Sequence, residues 1–278
     1  MINNQPDKGE VALKQISTGG LSEFFIIFGA QTPDSVVQKY HLIVGRPVLL
    51  PQWALGWHQC KWCLRNLTEY QNVVAKYREN GIPLDAQWAD IDYMDQYRPF
   101  TVDRDNFGGL KQYVDSLFHN ETGPPVKFVP IIDPGVAFRP NVGYRAFDRG
   151  VEMNVFLKAP GSESELFAGR VWPNEAVFPD FTHPNASKWW SEQLTHFQQE
   201  EIWFDGLWLD MNEAANFCNG PCLAARQSEA SQLDQLIYTP TGRSLQHKSL
   251  PVDIRHASGV TELDAHSYFG TMQSALTH

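Results

Sequence analysis

The feature that most constrains the fold of this chain is a short apolar run that stops at a carboxylate. Residues 206–209 read Gly-Leu-Trp-Leu, Asp210 follows at once, and Asn212 and Glu213 come within the next turn of chain. Such a run predicts a strand buried on both faces. A carboxylate at its end is costly to bury unless solvent, a ligand or hydrogen-bond donors meet it there. Two interpretations stay open: Asp210 is a functional group at a sheet edge, or it caps a following helix.

Three earlier segments repeat this order of a short apolar strand and a helix. Two of their strands also end in acidic residues, Asp90 and Asp133. The strands are predicted at residues 54–58, 82–88 and 126–132, and the helices of all the units at about 68–80, 107–117, 184–200 and 265–277. Thr68 and Gln71 have the spacing of a capping box and predict where the first helix begins. Buried strands that alternate with helices indicate parallel α/β packing.

The acidic residues favour a barrel over a doubly wound sheet, which would fit the alternation equally well. Asp90, Asp133 and Asp210 all fall at the carboxyl ends of strands, where the active sites of barrels lie. No glycine-rich phosphate loop follows any strand. Four strand–helix units are half of a (β/α)8 barrel and would leave two open sheet edges. We therefore interpret the 278 residues as a fragment, or as one half of a split gene product.

The first 45 residues have a different pattern. Residues 21–29 are mostly apolar and predict a buried strand, and residues 33–44 have the apolar spacing of a helix. Pro47 and Pro51 then mark a linker. Later in the chain, the segment between the third strand and about residue 181 is predicted to be irregular.

Charge and hydropathy exclude several classes of protein. The chain carries 32 acidic and 22 basic residues, a net charge of −10, which argues against a nucleic-acid partner. No apolar run approaches the ~20 residues of a membrane span, and the polar residues 1–10 do not form a secretory signal. Nine Trp and nine Tyr suit a carbohydrate-binding protein, although an ordinary aromatic core explains most of them.

The cysteines and the glycosylation sequons give weaker signals. Cys218 and Cys222 bracket an Asn-Gly-Pro turn that could bring them within bridging distance. Cys60 and Cys63 have the spacing of a zinc finger, but no second pair follows at a matching distance, so no metal site is predicted. Three sequons, which favour a secretory route only weakly, occur at Asn66, Asn120 and Asn185.

Several of these segments together resemble a known family. Residues 206–213, Gly-Leu-Trp-Leu-Asp-Met-Asn-Glu, are similar to the signature of glycoside hydrolase family 31, the retaining α-glucosidases. Other segments agree with the family in the same order: 53–66, 87–95, 129–135, 171–173 with 178–181, and 262–270. The resemblance implies a (β/α)8 TIM barrel with about its first four units present. It places the end of a β-sandwich domain and a connecting helix at residues 1–45, and the barrel at 46–278 with an insertion at about 136–181.

The resemblance also implies roles for individual residues. Asp210 is similar to the family's nucleophile, which forms a covalent glycosyl-enzyme, and Glu213 to a supporting residue. Asp90 resembles the residue that binds the far hydroxyls of the terminal glucose. Asp133 matches a position beside the pocket, although a turn-forming role before Pro134 fits at least as well. The apolar walls of the sugar pocket are expected at Trp88, Ile131, Trp172, Trp208 and Met211.

The implied activity is hydrolysis of terminal α-linked glucose from maltose-type oligosaccharides or α-glucans, in a lysosomal, vacuolar or extracellular setting. Two carboxylates suffice for this reaction, so no metal or organic cofactor is expected. The family's acid/base Asp lies on a later strand, so we expect the fragment to be inactive alone. The alternatives are an α-xylosidase or sulfoquinovosidase of the same family, or a non-catalytic glycan-binding or pseudo-enzyme subunit. In an oxidising compartment, Cys218 and Cys222 are expected to form a disulfide.

Overall fold

The fold was analysed in a computed structural model that describes residues 2–5, 10–13, 15, 21–29, 31–119, 124–222, 239 and 242–278. The chain divides into two compact units, residues 1–50 and 51–278. None of the described helices is long and apolar enough to cross a membrane.

The first unit contains a hairpin and one helix. Strands β1 (Ile2–Gln5) and β2 (Glu10–Leu13) pair antiparallel. Helix α1 (Pro33–Val44) has the predicted bounds, because Thr32 and Ser35 form a capping box at its start and Gly45 follows with a φ of 87°. The buried strand predicted at residues 21–29 is wrong. This segment has no regular secondary structure, and apolar side chains such as Phe24 and Ile26 are exposed. Apolar composition alone could not supply the pairing partner that a strand needs.

The second unit is built on a parallel sheet of four strands. These are β3 (His58–Gln59), β4 (Ala86–Ala89), β5 (Lys127–Ile132) and β9 (Trp208–Leu209), in the order β3-β4-β5-β9. All three pairings are parallel. The prediction of parallel α/β packing is therefore confirmed. The prediction that β9 is buried on both faces is wrong, because β9 is an edge strand of this sheet and its residues are only half-buried.

The predicted helices are present with shifted ends. A 3-10 helix at Gln52–Leu55 occupies part of the first predicted strand. The first helix is capped by the Asn66 side chain, which accepts from the Glu69 backbone N–H at 3.0 Å, and not by Thr68 with Gln71. The helices of this sheet are α2 (Leu67–Glu79), α3 (Arg104–Phe107), α4 (Leu110–Phe118), α6 (Ala186–His196, continued by a π turn over Phe197–Glu201), α7 (Glu262–Ala265) and α8 (Phe269–Thr277).

The insertion after β5 is more regular than predicted. Strands β6 (Val136–Ala137), β7 (Ala168–Val171) and β8 (Asn174–Val177) form an antiparallel sheet in the order β6-β8-β7. Helix α5 (Arg145–Glu152) lies between β6 and β7 in the chain. The prediction of an irregular segment was wrong here because strands of two to four residues are too short to show an alternating pattern.

A carboxylate at the amino end of the sheet fixes how β5 and β9 lie side by side. The Asp205 side chain accepts from the Lys127 ammonium at 2.8 Å and from the Phe128 backbone N–H at 3.0 Å. In return, the Asp205 backbone N–H donates to the Phe128 carbonyl at 2.9 Å. Because the two strands start together, their carboxyl ends also meet, with Ile132 paired to Leu209. The residues that follow these ends form the candidate site.

Candidate active site

The acidic residues predicted from the sequence lie together at the carboxyl edge of the parallel sheet. Asp90 follows β4, Asp133 follows β5 and Asp210 follows β9. Burial, as the largest cause, and the nearby charges of Asp210, Asp90 and Glu213 together raise the pKa of Asp133 to about 7. The pKa of Asp90 is raised mainly by burial and partly by Asp92 and Asp210, against the Ile91 N–H, which lowers it. We call Asp90, Asp133, Asp210 and Glu213 the carboxylate cluster.

The register of the sheet puts the predicted aromatic walls on the same face as these carboxylates. Trp88 pairs with Val129 and Ile131 pairs with Trp208. Since alternate residues of a strand share a face, positions 88, 131 and 208 lie on one face, and positions 90, 133 and 210 continue it beyond the strand ends. The rings of Trp88 and Trp208 are 5.5 Å apart across β5. Two indole rings therefore lie on this face of the sheet, each two residues before an acidic residue at a strand end.

Asp210 is half-buried, so part of its side chain can contact solvent or a ligand. Residues 211–214 after it form a turn and not a helix, and Met211 has a φ of 55°. The Ala215 N–H donates to the Met211 carbonyl at 3.1 Å, which closes this turn. No helix begins directly after Asp210, so Asp210 is not a helix cap at this place. Its oxygens are left at the rim of the sheet.

Asp133 is the most buried carboxylate of the cluster, with 3% of its surface exposed. Its Oδ1 has no hydrogen-bond partner among the described residues. With a pKa of about 7, this carboxyl is largely protonated at acid pH and can then donate a hydrogen bond. Below it, Ile131 is 2% exposed, and its carbonyl accepts from the Tyr93 hydroxyl at 2.7 Å.

A second aromatic group surrounds Trp172 in the insertion. Its ring centroid is 5.7 Å from that of Trp62, 6.3 Å from that of Tyr97 and 5.3 Å from that of Phe217. Trp62 is 51% exposed, Tyr97 40% and Phe217 39%. Trp172 was predicted as a pocket wall, but its three partners were not. Among these three, Trp62 alone had a sequence signal, because it lies inside residues 53–66, which resemble the family.

Glu213 lines an open cavity of about 460 Å³ next to the turn that follows Asp210. The other residues that line the cavity are Asn212, His266, Ser267, Gly270, Thr271 and Ser274. Helix α8 comes so close to the turn that a Cβ on Gly270 would lie 2.9 Å from the Asn212 carbonyl oxygen. The cavity wall is therefore polar and is built from α8 and from the turn that carries Glu213.

The sequence reasoning missed a row of alternating acids and histidines that ends at this cavity. His256 Nδ1 lies 2.9 Å from Asp180 Oδ1, and His256 Nε2 lies 2.8 Å from Glu262 Oε2. The second oxygen of Glu262 lies 2.8 Å from His266 Nδ1. We call these four residues the acid–histidine row. It connects the insertion, which carries Asp180, with the segment before α8, and no short motif in the sequence signals it.

The loop beyond the turn is held by an amide and a disulfide. Asn216 Oδ1 accepts from the Arg170 N–H at 2.9 Å, and its Nδ2 donates to the Gly220 carbonyl at 2.6 Å. The predicted disulfide between Cys218 and Cys222 is confirmed, with Cα atoms 5.2 Å apart. Cys60 and Cys63, not paired with each other, are exposed free thiols. Among the described residues, no group of three or more His, Cys, Asp or Glu side chains could hold a metal ion.

A parallel sheet with acidic residues at its carboxyl edge has the arrangement in which barrel enzymes place their active sites. Residues 47–278 match the sequence model of the glycosyl hydrolases family 31 TIM-barrel domain. The chain therefore belongs to glycoside hydrolase family 31. This confirms the family and the fold class that were predicted from the sequence.

Named relatives agree with this membership. A probable α-glucosidase of Oryza sativa subsp. japonica is 38% identical over 262 residues, which are 94% of this chain and 28% of the rice protein. α-Xylosidase 1 of Arabidopsis thaliana is 33% identical over 94% of this chain and 30% of its own length. The lysosomal α-glucosidase of Bos taurus is 33% identical over 96% of this chain and 28% of its own length. The chain thus spans less than a third of each of these relatives.

A solved structure shows the same fold. The crystal structure of a glucosidase II α subunit superposes with a TM-score of 0.69 at 24% identity, and it covers 90% of this chain and 23% of the subunit. At this identity the likeness concerns the fold alone. The four-stranded parallel sheet described above is thus part of a TIM barrel.

Proposed function

We propose that this chain carries the nucleophile half of a retaining α-glucosidase that removes terminal, non-reducing α-linked glucose from maltose-type oligosaccharides or α-glucans. The observation that supports this most is the placement of Asp210. It is a half-buried carboxylate at the carboxyl end of β9, on the face that also carries the paired rings of Trp88 and Trp208. Relatives whose names include α-glucosidase match almost the whole chain.

In this proposal Asp210 attacks the anomeric carbon of the sugar. One carboxylate oxygen forms an ester bond to that carbon, the glycosidic C–O bond breaks, and its electron pair leaves with the departing oxygen, which takes up a proton. Water then hydrolyses the ester and releases glucose with its configuration retained. Asp90 binds hydroxyls of the same sugar, and Asp133, when protonated, donates a hydrogen bond into the site. Glu213 supports the turn, and the walls are Trp88, Ile131, Trp172, Trp208 and Met211.

We further propose that these 278 residues alone hydrolyse ordinary glucosides poorly. A second carboxyl group, other than that of Asp210, must protonate the leaving oxygen, and no residue of the carboxylate cluster is assigned that role. Without such a group, water supplies the proton, and general acid catalysis is worth about 10²–10⁴ in rate. A substrate whose leaving group needs no proton avoids this step. Fluoride is such a leaving group, so a glucosyl fluoride tests Asp210 by itself.

The experiment is covalent labelling of the purified chain with an α-glucosyl fluoride that carries a further ring fluorine, which slows hydrolysis of the ester. Intact mass spectrometry should show one added fluoroglucosyl group, and peptide mapping should place it on Asp210. Asp210→Asn should remain unlabelled. Asp264→Asn, which removes an exposed carboxylate of α7, is the matched control and should be labelled at the wild-type rate. An adduct on any other residue would show that the nucleophile is misassigned.

Two alternatives are separated by the same reagents. If the chain binds maltose, for example by calorimetry, but forms no adduct, the non-catalytic glycan-binding function is supported instead. If the corresponding xylosyl fluoride labels Asp210 faster than the glucosyl fluoride does, the protein is an α-xylosidase. Within the family we favour glucose, because a carboxylate at position 90 suits neutral hydroxyls. The anionic group of a sulfoquinovoside would require Arg or Lys there.

We propose that the protein works in the secretory pathway, in a lysosomal, vacuolar or extracellular compartment. The disulfide between Cys218 and Cys222 requires an oxidising environment, and one relative is a lysosomal enzyme. Of the three sequons, Asn66 and Asn185 lie in described parts of the chain and Asn120 lies outside the described residues. Asn66 is half-buried and its Oδ1 caps α2, whereas Asn185 is exposed and its Nδ2 donates to the Met153 carbonyl at 3.1 Å.

A further inference from the structure

The carboxylate cluster is crowded with negative charge. Besides burial, the negative charges of Asp210, Asp90 and Glu213 raise the pKa of Asp133. Those of Asp92 and Asp210 raise the pKa of Asp90. Repulsion of this kind favours protonation, and a protonated Asp210 could not attack the sugar. A cation close to the cluster would keep its members ionised. The acid–histidine row ends in a side chain that can supply this charge.

The charges of the first three members of the row follow from their hydrogen bonds, which outweigh burial, raise the pKa of His256 to about 9 and lower those of Asp180 and Glu262. Both ring nitrogens of His256 lie within 2.9 Å of carboxylate oxygens. Because an ionised carboxylate can only accept, both nitrogens must donate, and His256 is therefore an imidazolium. One cation between Asp180 and Glu262 leaves a net charge of −1 in the interior, since all three side chains are at least 94% buried. A second cation is needed to balance it.

His266 is placed to be that second cation. Its Nδ1 donates to the other Glu262 oxygen at 2.8 Å, and 42% of its side chain is exposed where it lines the cavity. The Glu262 hydrogen bond is the main cause that raises the pKa of His266, burial opposes it, and the charges of Glu262 and Glu213 raise it further. Two carboxylates from different elements thus face the ring, Glu262 from α7 and Glu213 from the turn after β9.

We propose that His266 is a positioning residue that supplies the counter-charge of the carboxylate cluster, and that Glu262 holds it on the cavity wall beside Glu213. The inference rests on the proposed function, because it assigns to His266 the role of keeping the nucleophile ionised. The row continues from His266 through Glu262 and His256 to Asp180. Alternating charges therefore connect the insertion, α7 and the turn after β9. His266 touches neither the sugar nor Asp210 in this scheme and acts through Glu213.

The first test measures the coupling directly. Titration of the ¹⁵N-labelled His266 ring by NMR should give a pKa above 6.5 in the wild-type chain. Glu213→Gln should lower that pKa, because it removes one of the negative charges that raise it. Glu262→Gln should lower it further, and Asp264→Asn, two residues away on α7, should leave it unchanged. An unaltered His266 pKa in Glu213→Gln overturns the proposal, whatever the enzymatic activity.

The second test separates positioning from a merely structural role. His266→Gln should slow fluoroglucosyl labelling of Asp210 at pH 5 by up to about threefold, because a half-unit rise in a carboxylate pKa lowers its ionised fraction by no more than that factor. The deficit should vanish at alkaline pH, where wild-type His266 is neutral too. His266→Lys, which keeps the charge, should restore labelling at pH 5. A deficit that is the same at every pH contradicts the proposal. A wild-type chain that is never labelled refutes the nucleophile assignment, and the NMR coupling then decides this proposal alone.

Discussion

Replacement of His256 by Gln should remove a large part of the pH dependence of stability. The hydrogen bonds from His256 to Asp180 and Glu262 outweigh the burial of the ring, and they raise the His256 pKa from 6.5 to about 9. Each pH unit between the folded and the unfolded pKa corresponds to about 1.4 kcal/mol. The protonated ring therefore contributes about 3 kcal/mol to the free energy of unfolding.

The sign follows from the direction of each shift. A raised histidine pKa gives a contribution that is complete below pH 6.5 and is lost as the pH rises through about 9. Burial alone would raise the pKa of Asp180 and of Glu262, but the histidine hydrogen bonds outweigh it and lower both. The contribution of these acids is present above their unfolded pKa values of 3.8 and 4.5, and it is lost as the pH falls through the lower folded values. The row therefore stabilises the fold most between about pH 4.5 and 6.5.

The assay is urea unfolding followed by tryptophan fluorescence at pH 6 and at pH 9.5. The wild-type free energy of unfolding should fall by about 3 kcal/mol more between these two pH values than that of His256→Gln. Titrating groups outside the acid–histidine row, including Asp133, are common to both proteins and cancel in this difference. His247→Gln, a change of a half-exposed histidine, should behave as the wild type does. Equal pH dependence in the wild type and His256→Gln would refute the argument.

Two further predictions concern packing. Phe107→Ala should lower the free energy of unfolding by about 3–5 kcal/mol, because Phe107 is 0% exposed in the core, whereas Phe118→Ala, at 46% exposure, should cost far less when compared by urea unfolding. Gly270→Ala should cost about 1–3 kcal/mol and slow Asp210 labelling, since its Cβ would lie 2.9 Å from the Asn212 carbonyl oxygen. Ser274→Ala, on the same helix and cavity wall, is the control, and equal labelling rates in the two variants would contradict the steric argument.

The parts of the fold that local patterns determine were predictable. Helix α1 has the predicted bounds because its apolar spacing, its first-turn Asp34 and the Gly45 after it all agree. The parallel strands were predictable because short apolar runs, three of which end at an acid, alternate with helical patterns. The cap of α2 was not, because Asn66 precedes Thr68, and two polar residues so close together compete for the same orphan N–H groups.

The candidate site divides in the same way. The proximity of Asp90, Asp133 and Asp210 was predictable, since the carboxyl ends of parallel strands share one edge. His256 could not be placed, because its partner Asp180 is 76 residues away and their meeting depends on how the insertion packs. Burial of residues 206–209 was overestimated because the sequence does not say whether a strand is central or at an edge. Contacts that depend on tertiary packing have no local pattern.

The candidate site depends on strand register as much as on residue type. In β4 and β9, a tryptophan stands two residues before the acid, at 88 and 90 and at 208 and 210, so one alternation gives both a ring and a carboxylate on one face. A slip of one residue between β5 and β9 would turn Trp208 and Asp210 to the opposite face. Asp205 prevents this slip at the amino end of the sheet through its bonds to Lys127 and Phe128. The positions of Trp208 and Asp210 at the carboxyl edge of the sheet therefore depend on the hydrogen bonds of Asp205 at the amino edge.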